Sequence, residues 1–576
     1  MKFLVEQVCD APKKKRIPGR SHGYWKDLLN ILALETVGGL RGGHLQGSYL
    51  HHPRTQYTYP NRQRSKVGTP ESRVEATLLA DAKAKGVAVE ERKKKNKQFH
   101  DRLITRLAEP RFRALFIAVA RLFADQLLKD VKVLAELDSA RDRIAHLKKL
   151  SLAGKWAPTP GASHDRVTNI ATAICELIYA SGSLTYPSVL KTSISEVERV
   201  RVLLSFYQRW ILTELRRAIS CPEPLMAANR WTEIKYNHIP SICMRNNQEH
   251  FMRHDPDGFE KYLTAVESGK KTISGATLLP HELVAQALNL ARPPTGRSKS
   301  TAIQELKKKL GLSKIRVVEA QWKTLISNLR EAGSIENSIA ICDVSGSMGS
   351  LYAKYDKRHV PPILPAVSLS LVLASLAKPP FNGGFITFSA NPKYETLDLN
   401  QPLTQQVTNI MRSDWGMNTN FSSVFIDLLL PLAVKNNIKQ EDMIKQLFVF
   451  SDMQFDEADG TQNSVDSWAT NYDVIEKAYK QAGYEVPQII YWDLAAARTK
   501  EVEDSRKKGV AMMNGFSPAM LKVFMGEEEE VLIDWEKVEE DGSVTVVEKE
   551  KEVFNPYNVM LKALMKKSFD HLVVVD

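Results

Sequence analysis

Apolar side chains in the first half of the chain recur at intervals of three and four residues. Two stretches show this spacing most clearly, and their apolar positions are Leu115, Val119, Leu122, Phe123, Val202, Phe206, Trp210 and Leu215. This period indicates amphipathic helices over 99–137 and around 202–215. No strand-like alternation of comparable length precedes residue 335. We therefore predict that residues 1–330 are mostly helical and form stacked, HEAT-like helix pairs.

The pattern changes after Trp322, where short apolar runs begin to alternate with helical stretches. The runs cover 339–342, 384–388, 447–450, 488–492 and 510–513, and the helical stretches cover 364–377, 422–434 and 474–482. Strands that alternate with helices predict a mostly parallel, Rossmann-like sheet covered on both faces. We therefore expect an α/β domain over 331–576, with an acidic insertion near 527–552 and a closing helix at 557–567.

Residues 360–377 have the apolar character of a membrane span. They contain eighteen consecutive uncharged residues, which is the lower limit for crossing a bilayer. Three prolines and three serines within them favour a buried helix instead.

Length and cysteine content narrow the class of protein. A chain of 576 residues is too long for one core, so two or more domains are expected. Five scattered cysteines without a CxxC pair argue against a disulfide scaffold or a thiolate zinc site. The first residues lack the apolar run of a secretory signal. We expect a cytoplasmic protein, and the basic cluster KKKR at 13–16 leaves the nucleus open.

Charge divides the chain into two halves of opposite sign. Residues 331–576 contain 23 Lys and Arg against 36 Asp and Glu, a net charge of −13, which leaves +25 on residues 1–330. A basic half of this size can attract a polyanion by neutralising its phosphates. A lysine-rich surface that only keeps the chain dissolved is the alternative, so the charge alone does not decide for nucleic acid.

One loop concentrates the chemistry of the second half. In IAICDVSGSMGS, an apolar strand ends at Cys342, and Asp343, Ser345 and Ser347 follow with the spacing D-x-S-x-S. Ligands of α/β sheets bind at the carboxyl ends of strands, where this loop falls. One carboxylate and two hydroxyls suit a hard cation such as Mg²⁺. The alternative is a hydrogen-bonded turn that binds no metal.

Two later segments supply further oxygen ligands in a suggestive order. Thr419 lies directly before a predicted helix, and Asp452 ends the run LFVFSD. The order resembles the metal-ion-dependent adhesion site of von Willebrand factor A domains. That resemblance implies Mg²⁺ held directly by Ser345 and Ser347, with Thr419 as a further ligand and Asp343 and Asp452 acting directly or through water. It also implies one open position for the carboxylate of a protein partner, which is recognition and not catalysis.

The first half resembles a known family through several motifs. These are HGYWKDLLNIL, SLAGKWAPTPGASHDR, ANRWTEIKYNHIPS, LLPHEL and the QW segment before the D-x-S-x-S loop, which resemble the family of domain of unknown function 2828 over most of 20–576. That family is similar in layout to the Ro autoantigen, whose TROVE module is a ring of helical repeats joined to a von Willebrand A domain. The resemblance implies RNA binding by the helical half. Lys155 and Trp156 of the GKW motif fit either a nucleotide contact or a packing role.

These observations predict a non-enzymatic RNA-binding protein with a Mg²⁺-dependent site for an acidic protein partner. The alternative is an interaction scaffold that binds acidic proteins without RNA. A hydrolase built on Asp343 and Asp452 would need a second metal or a positioned base, and the sequence offers neither. His250 and His254 stand at i, i+4, but no third ligand accompanies them to suggest zinc.

Overall fold

A computed structural model provides the coordinates of this chain. It describes residues 23–38, 69–139, 141–275, 278–292, 301–331, 333, 335, 337–351, 355, 360–379, 381–388, 392–412, 423–452, 474–494, 508–524, 536–538, 544–546 and 554–564. The chain forms two compact units, residues 1–234 and 235–576. The boundary predicted at residue 330 marks a change in sequence pattern, whereas the packing of the folded chain places the boundary at residue 234.

The described part of the first unit is helical. Its helices are α1 (Trp25–Thr36), α2 (Pro70–Leu107), α3 (Pro110–Ala135), α4 (Arg143–Leu147), α5 (Ala153–Trp156), α6 (Ser163–Thr168), α7 (Ile170–Ala180), α8 (Glu196–Phe206), α9 (Thr213–Ala218) and α10 (Pro222–Ala227). A π-helical turn, Tyr207–Leu212, joins α8 to α9. The single helix expected over 99–137 is two, because Pro110 has no N–H to continue α2 and instead begins α3.

The core of the first unit lies between α3, α7 and the α8–α9 segment. Phe123, Leu127, Ile174 and Leu212 are fully buried there, and Trp25 of α1 packs against Phe123 with ring centroids 4.9 Å apart. The predicted apolar stripe of α3 is therefore the face that packs. In the second predicted helix, around 202–215, the apolar position Trp210 does not face the core, because its side chain is 66% exposed on the π-helical turn.

Before the sheet, the described residues of the second unit form four α-helices, α11 (Ser241–His254), α12 (Pro256–Glu267), α13 (Pro280–Ala291) and α14 (Thr301–Arg330). Buried Gln321 of α14 donates hydrogen bonds to the carbonyls of Ser241 and Ser274 at 3.1 and 3.2 Å. Glu319 of α14 accepts hydrogen bonds from the N–H groups of Leu403 and Thr404 at 2.7 and 2.9 Å. Glu319 thereby satisfies the first donors of a helix that flanks the sheet.

Among the described residues, six strands form the main sheet of the second unit. They are β1 (Ser338–Asp343), β2 (Gly384–Phe388), β3 (Lys393–Thr396), β4 (Gln446–Ser451), β5 (Gln488–Asp493) and β6 (Val510–Asn514), in the spatial order β3-β2-β1-β4-β5-β6. All neighbours pair in parallel except β3, which pairs antiparallel with β2. Five strands match the predicted runs. β3 was not predicted, because it is a four-residue edge strand with mostly exposed side chains.

Helices cover both faces of this sheet, as the strand pattern predicted. Side chains of β4 alternate, with Phe448 and Phe450 in one core and Leu447 and Val449 in the other. The first core contains α15 (Ile363–Leu376) and α16 (Leu403–Arg412), and the second contains the segments Val424–Leu429, Leu430–Lys435 and 474–482. A mixed, mostly parallel α/β sheet is thus confirmed.

The uncharged stretch at 360–377 is a buried helix, as predicted. Almost every side chain of α15 is inaccessible to solvent, which explains why it is apolar on all sides. Among the described residues, no helix combines the length and the apolar character needed to cross a bilayer. Within the acidic segment, Glu536–Val538 and Val544–Val546 pair as a small antiparallel ladder, and the helix Pro556–Leu564 follows.

Candidate metal centre

The D-x-S-x-S loop lies where the order of strands in the sheet reverses. β1 is flanked by β2 on one side and by β4 on the other, and both run parallel to it. The chain leaves β1 toward β2 and later returns on the far side of β1 at β4, so the carboxyl ends of β1 and β4 form the switch point of the sheet. Ligands of open α/β sheets bind at this switch point. Asp343 is the last residue of β1, so its loop lies at the switch point.

Hydrogen bonds within the loop hold its three predicted oxygen ligands together. The N–H of Ser345 donates to Oδ1 of Asp343 at 2.9 Å, and the Ser345 and Ser347 hydroxyls lie 3.0 Å apart. Met348 is fully buried and anchors the turn. Gly349 then adopts φ +85°, a left-handed conformation that favours glycine. The loop is therefore a fixed turn that presents both hydroxyls at one end of the sheet.

The end of the neighbouring strand contributes the predicted residue Asp452 and a residue that was not predicted, Ser451. The hydroxyl of Ser451, at the end of β4, donates to Oδ2 of Asp343 at 2.5 Å. Asp452 follows directly and is 7% exposed, while Asp343 is 1% and Ser345 7% exposed. Ser347 is exposed to solvent. The candidate centre thus runs from a buried carboxylate to a hydroxyl that solvent or a partner can reach.

The electrostatics of this cluster favour a bound cation. Burial raises the pKa of Asp343, and the nearby carboxylate of Asp452 raises it further, while hydrogen bonds from Ser451 and Ser345 lower it. No lysine or arginine in the described part of the chain forms an ion pair with Asp343. Two acidic groups buried side by side are costly without positive charge. The donor set of carboxylates and hydroxyls fits a hard divalent ion.

One of the positions singled out from the sequence, Thr419, lies outside the described residues. The structure brings together Asp343, Ser345 and Ser347 of the loop with Asp452 of the neighbouring strand end.

Sequence reasoning missed two polar residues at this edge. Ser451 precedes Asp452 in the quoted run LFVFSD, so the signal was present, but a strand-end serine is common. Asp493 ends β5 opposite Ser451, is 2% exposed and accepts a hydrogen bond from the Asn514 amide at 3.3 Å. Their importance follows only from strand order, since parallel neighbours align their carboxyl ends.

The histidines considered as metal ligands lie on helix α11. His250 and His254 occupy successive turns of α11 with ring centroids 6.4 Å apart. In the ranges that the structure describes, no three His, Cys, Asp or Glu side chains are grouped to hold a metal ion. A cation at the D-x-S-x-S loop would therefore depend on serine hydroxyls as well as carboxylates.

Comparison with known proteins gives matches along nearly the whole chain. Residues 1–335 match the family described as domain of unknown function DUF2828, and residues 337–564 match the one described as domain of unknown function DUF7788. The "Uncharacterized protein L728" of Acanthamoeba polyphaga mimivirus is 26% identical over 423 residues, which are 71% of this chain and 63% of that protein. The chain thus spans less than two thirds of the length of this relative.

The family expected from the motifs is confirmed for the first half of the chain. The motifs suggested that it extends over most of 20–576, whereas its match ends at residue 335 and DUF7788 covers the sheet that bears the candidate centre. The match covers more than half of the 576 residues, and this chain belongs to the DUF2828 family.

Proposed function

We propose that this chain is a non-enzymatic RNA-binding protein whose α/β region binds an acidic residue of a protein partner through a divalent cation. The observation that carries the proposal is the convergence of Asp343, Ser345, Ser347 and Asp452 at the switch point of the sheet. We also propose that the α/β region is a von Willebrand factor A-like domain. The helical region would then be a HEAT-like repeat similar to that of the Ro autoantigen.

At the candidate centre, each residue has a distinct task. Ser345 and Ser347 would hold Mg²⁺ directly, with Thr419 as a further ligand, and Asp343 and Asp452 would balance its charge directly or through water. The cation would supply a Lewis-acidic position for a carboxylate. Ser451 orients Asp343 by its hydrogen bond. Because Ser347 faces solvent, a partner's Asp or Glu can approach from its side.

RNA binding is proposed for the helical half because of its charge. Residues 1–330 have a net charge of +25, and such a surface gains affinity for a polyanion by releasing counterions. The described residues include exposed Lys93, Lys94 and Lys97 on α2. The competing proposal, a scaffold for acidic proteins, predicts attraction to carboxylates but no preference for RNA.

Calorimetric titration of the purified chain with Mg²⁺ and Mn²⁺ tests the metal part. We expect one saturable site that is weakened at least about tenfold in Ser347→Ala, since one hydroxyl ligand is removed. Ser347 is the preferred target because it is exposed, so its replacement should not disturb folding. Ser350→Ala, in the same loop and also exposed, is the matched control. Absence of cation binding by the unaltered chain would refute this part.

Binding of structured RNA and of duplex DNA, measured across salt concentrations, tests the second part. We expect RNA to bind more tightly, with an affinity that falls linearly on a log–log plot against salt. Equal, weak binding to both polyanions, or none, would favour the scaffold.

A further inference from the structure

Trp156 lies at the surface of the first unit with two positive charges over its ring. The ammonium of Lys155 is 5.1 Å from the ring centroid and that of Lys26, on α1, is 5.4 Å from it. The tryptophan is partly buried, Lys155 is partly buried and Lys26 is exposed. In the described part of the chain, neither lysine forms an ion pair with a carboxylate. An aromatic ring and two lysine ammonium groups therefore lie together at this surface.

The segment that carries Trp156 is held rigidly from several sides. The guanidinium of Arg216 donates to the carbonyls of Gly154 and Ala157 and to the hydroxyl of Thr159, at 3.1, 2.9 and 2.9 Å. Tyr207, fully buried, donates to the carbonyl of Pro158 at 3.2 Å. A platform fixed in this way loses little freedom when a ligand binds, which favours affinity.

The upstream end of the same segment is anchored as well. Both carboxylate oxygens of buried Asp130 accept hydrogen bonds from Ser151, from its N–H at 3.2 Å and from its hydroxyl at 2.6 Å. Gly154 lies so close to Leu215 that an added Cβ would be 2.9 Å from the leucine Cβ. Backbone hydrogen bonds and close packing thus fix the short helix α5, while Lys155 and Trp156 remain accessible to solvent.

The charge of Lys26 acts on a histidine of the neighbouring helix α6. His164 on α6 bonds to the side chain of Asn30, one turn after Lys26 on α1, at 2.9 Å. Burial lowers the pKa of His164 to about 4, and the charge of Lys26 contributes to this. The histidine is therefore neutral at physiological pH. The positive charge at this place comes from the lysines, which can turn toward an anion.

From this geometry we propose that Trp156 is a stacking platform for one base of a single-stranded nucleic acid, with Lys26 and Lys155 on the adjacent phosphates. The inference rests on the proposed RNA binding and assigns it a site. Bases within a duplex have no free face, so an aromatic platform selects unpaired nucleotides. The two lysines then supply the phosphate contacts that accompany such stacking.

A purely internal role for the lysines over the ring is the competing explanation. An exposed cation–π contact is weaker than stacking of a base on an aromatic ring. A base can therefore displace an ammonium group from the ring face, and the flexible lysine side chain can move to a phosphate. Binding would then replace cation–π contacts by base stacking on Trp156 and by lysine–phosphate contacts.

Fluorescence anisotropy with a labelled oligouridine of about 12 nucleotides tests the proposal, since single-strand sites span a similar length. For Trp156→Leu we expect about tenfold weaker binding at every salt concentration, with an unchanged salt slope. For the double variant Lys26→Ala/Lys155→Ala, we expect the log–log slope to fall by roughly 1.4, about 0.7 for each phosphate that is no longer neutralised. Trp156→Phe retains an aromatic face and should bind more tightly than Trp156→Leu.

Matched variants distinguish this site from general attraction. Trp210→Leu removes the exposed tryptophan of the π-helical turn, and Lys148→Ala/Lys149→Ala removes two exposed lysines of the same unit. Both should bind as the unaltered chain does. Equal losses in test and control variants would overturn the platform. The same oligonucleotide in deoxythymidine form tells whether the 2′-hydroxyl contributes.

Two further results separate this inference from the proposed function. If the unaltered chain binds RNA but Trp156→Leu binds equally well, the platform is wrong and RNA binding stands. If the unaltered chain binds neither oligonucleotide nor structured RNA, the proposed function itself fails. Melting temperatures of all variants show whether a loss of binding follows from loss of folding, and the lysine variant does not alter the packed core.

Discussion

The hydroxyl of Ser451 donates a 2.5 Å hydrogen bond to Oδ2 of Asp343. The two residues are 108 positions apart in sequence, and each ends a strand of the same parallel pair. The other carboxylate oxygen accepts the N–H of Ser345. Both oxygens of Asp343 are therefore held by donors of the chain itself, which fix the orientation of the carboxylate.

Replacement of Ser451 by alanine should destabilise the second unit. The buried Asp343 carboxylate would lose a donor, and an unsatisfied buried acceptor costs about 1–3 kcal/mol. Chemical denaturation without divalent ions measures this change. Ser368→Ala is the control, because buried Ser368 donates to a carbonyl of its own helix, at 3.1 Å, and its loss should cost little. Equal costs for the two variants would contradict the role of Ser451.

Asp343→Asn should separate the two proposed binding activities. The amide preserves the size of the side chain and one acceptor for Ser451 but removes the negative charge, so calorimetry should detect no Mn²⁺ binding. Oligouridine binding should be unchanged, because Trp156 belongs to the other compact unit. Trp156→Leu should give the reverse result. Loss of both activities in Asp343→Asn, with normal melting, would mean that the cation site contributes to RNA binding.

Gly154→Ala should destabilise the first unit by about 1–3 kcal/mol, as expected for overpacking. The added methyl group would approach Leu215 to 2.9 Å, whereas an added Cβ at Gly86, on the exposed part of α2, meets nothing within 4 Å. Gly86→Ala should therefore stabilise its helix by about 0.5–1 kcal/mol. Denaturation midpoints of the two variants should move in opposite directions. A shift in the same direction would show that the Leu215 side chain moves aside for the added methyl group at little cost.

His164 should make stability depend on pH. Burial, helped by Lys26, lowers its pKa to about 4 from an ordinary value of 6.5. Between these values the unfolded chain binds the proton and the folded chain does not, so stability rises with pH. The contribution is complete above pH 6.5 and is lost as the pH falls toward 4. Solvent screening of this partly exposed group limits it to about 2 kcal/mol.

Denaturation at a series of pH values measures this effect. In His164→Gln the stability gained from pH 4 to 6.5 should be smaller than in the unaltered chain. His100→Gln, which replaces an exposed histidine on α2, should behave as the unaltered chain does. An unchanged pH profile in His164→Gln would assign the dependence to other groups.

Much of the local structure was predictable from apolar spacing. The period of α3, the buried helix α15 and five of the six main strands follow from which side chains avoid water. The D-x-S-x-S loop was also predictable, because a polar run directly after an apolar strand must lie at the strand's end. β3 was missed since an exposed four-residue edge strand has no apolar alternation to detect.

Local sequence was enough to predict the family, the type of most elements and the closeness of three residues of the candidate centre, because these depend on residues close together in the chain. Only the folded chain places Ser451 against Asp343 and Lys26 over Trp156, since spacing shows which face of an element is buried but not what covers it. Strand order brought β4 beside β1, and helix packing brought α1 beside α5. Those neighbours are chosen by the packing of the whole core, which no local pattern encodes.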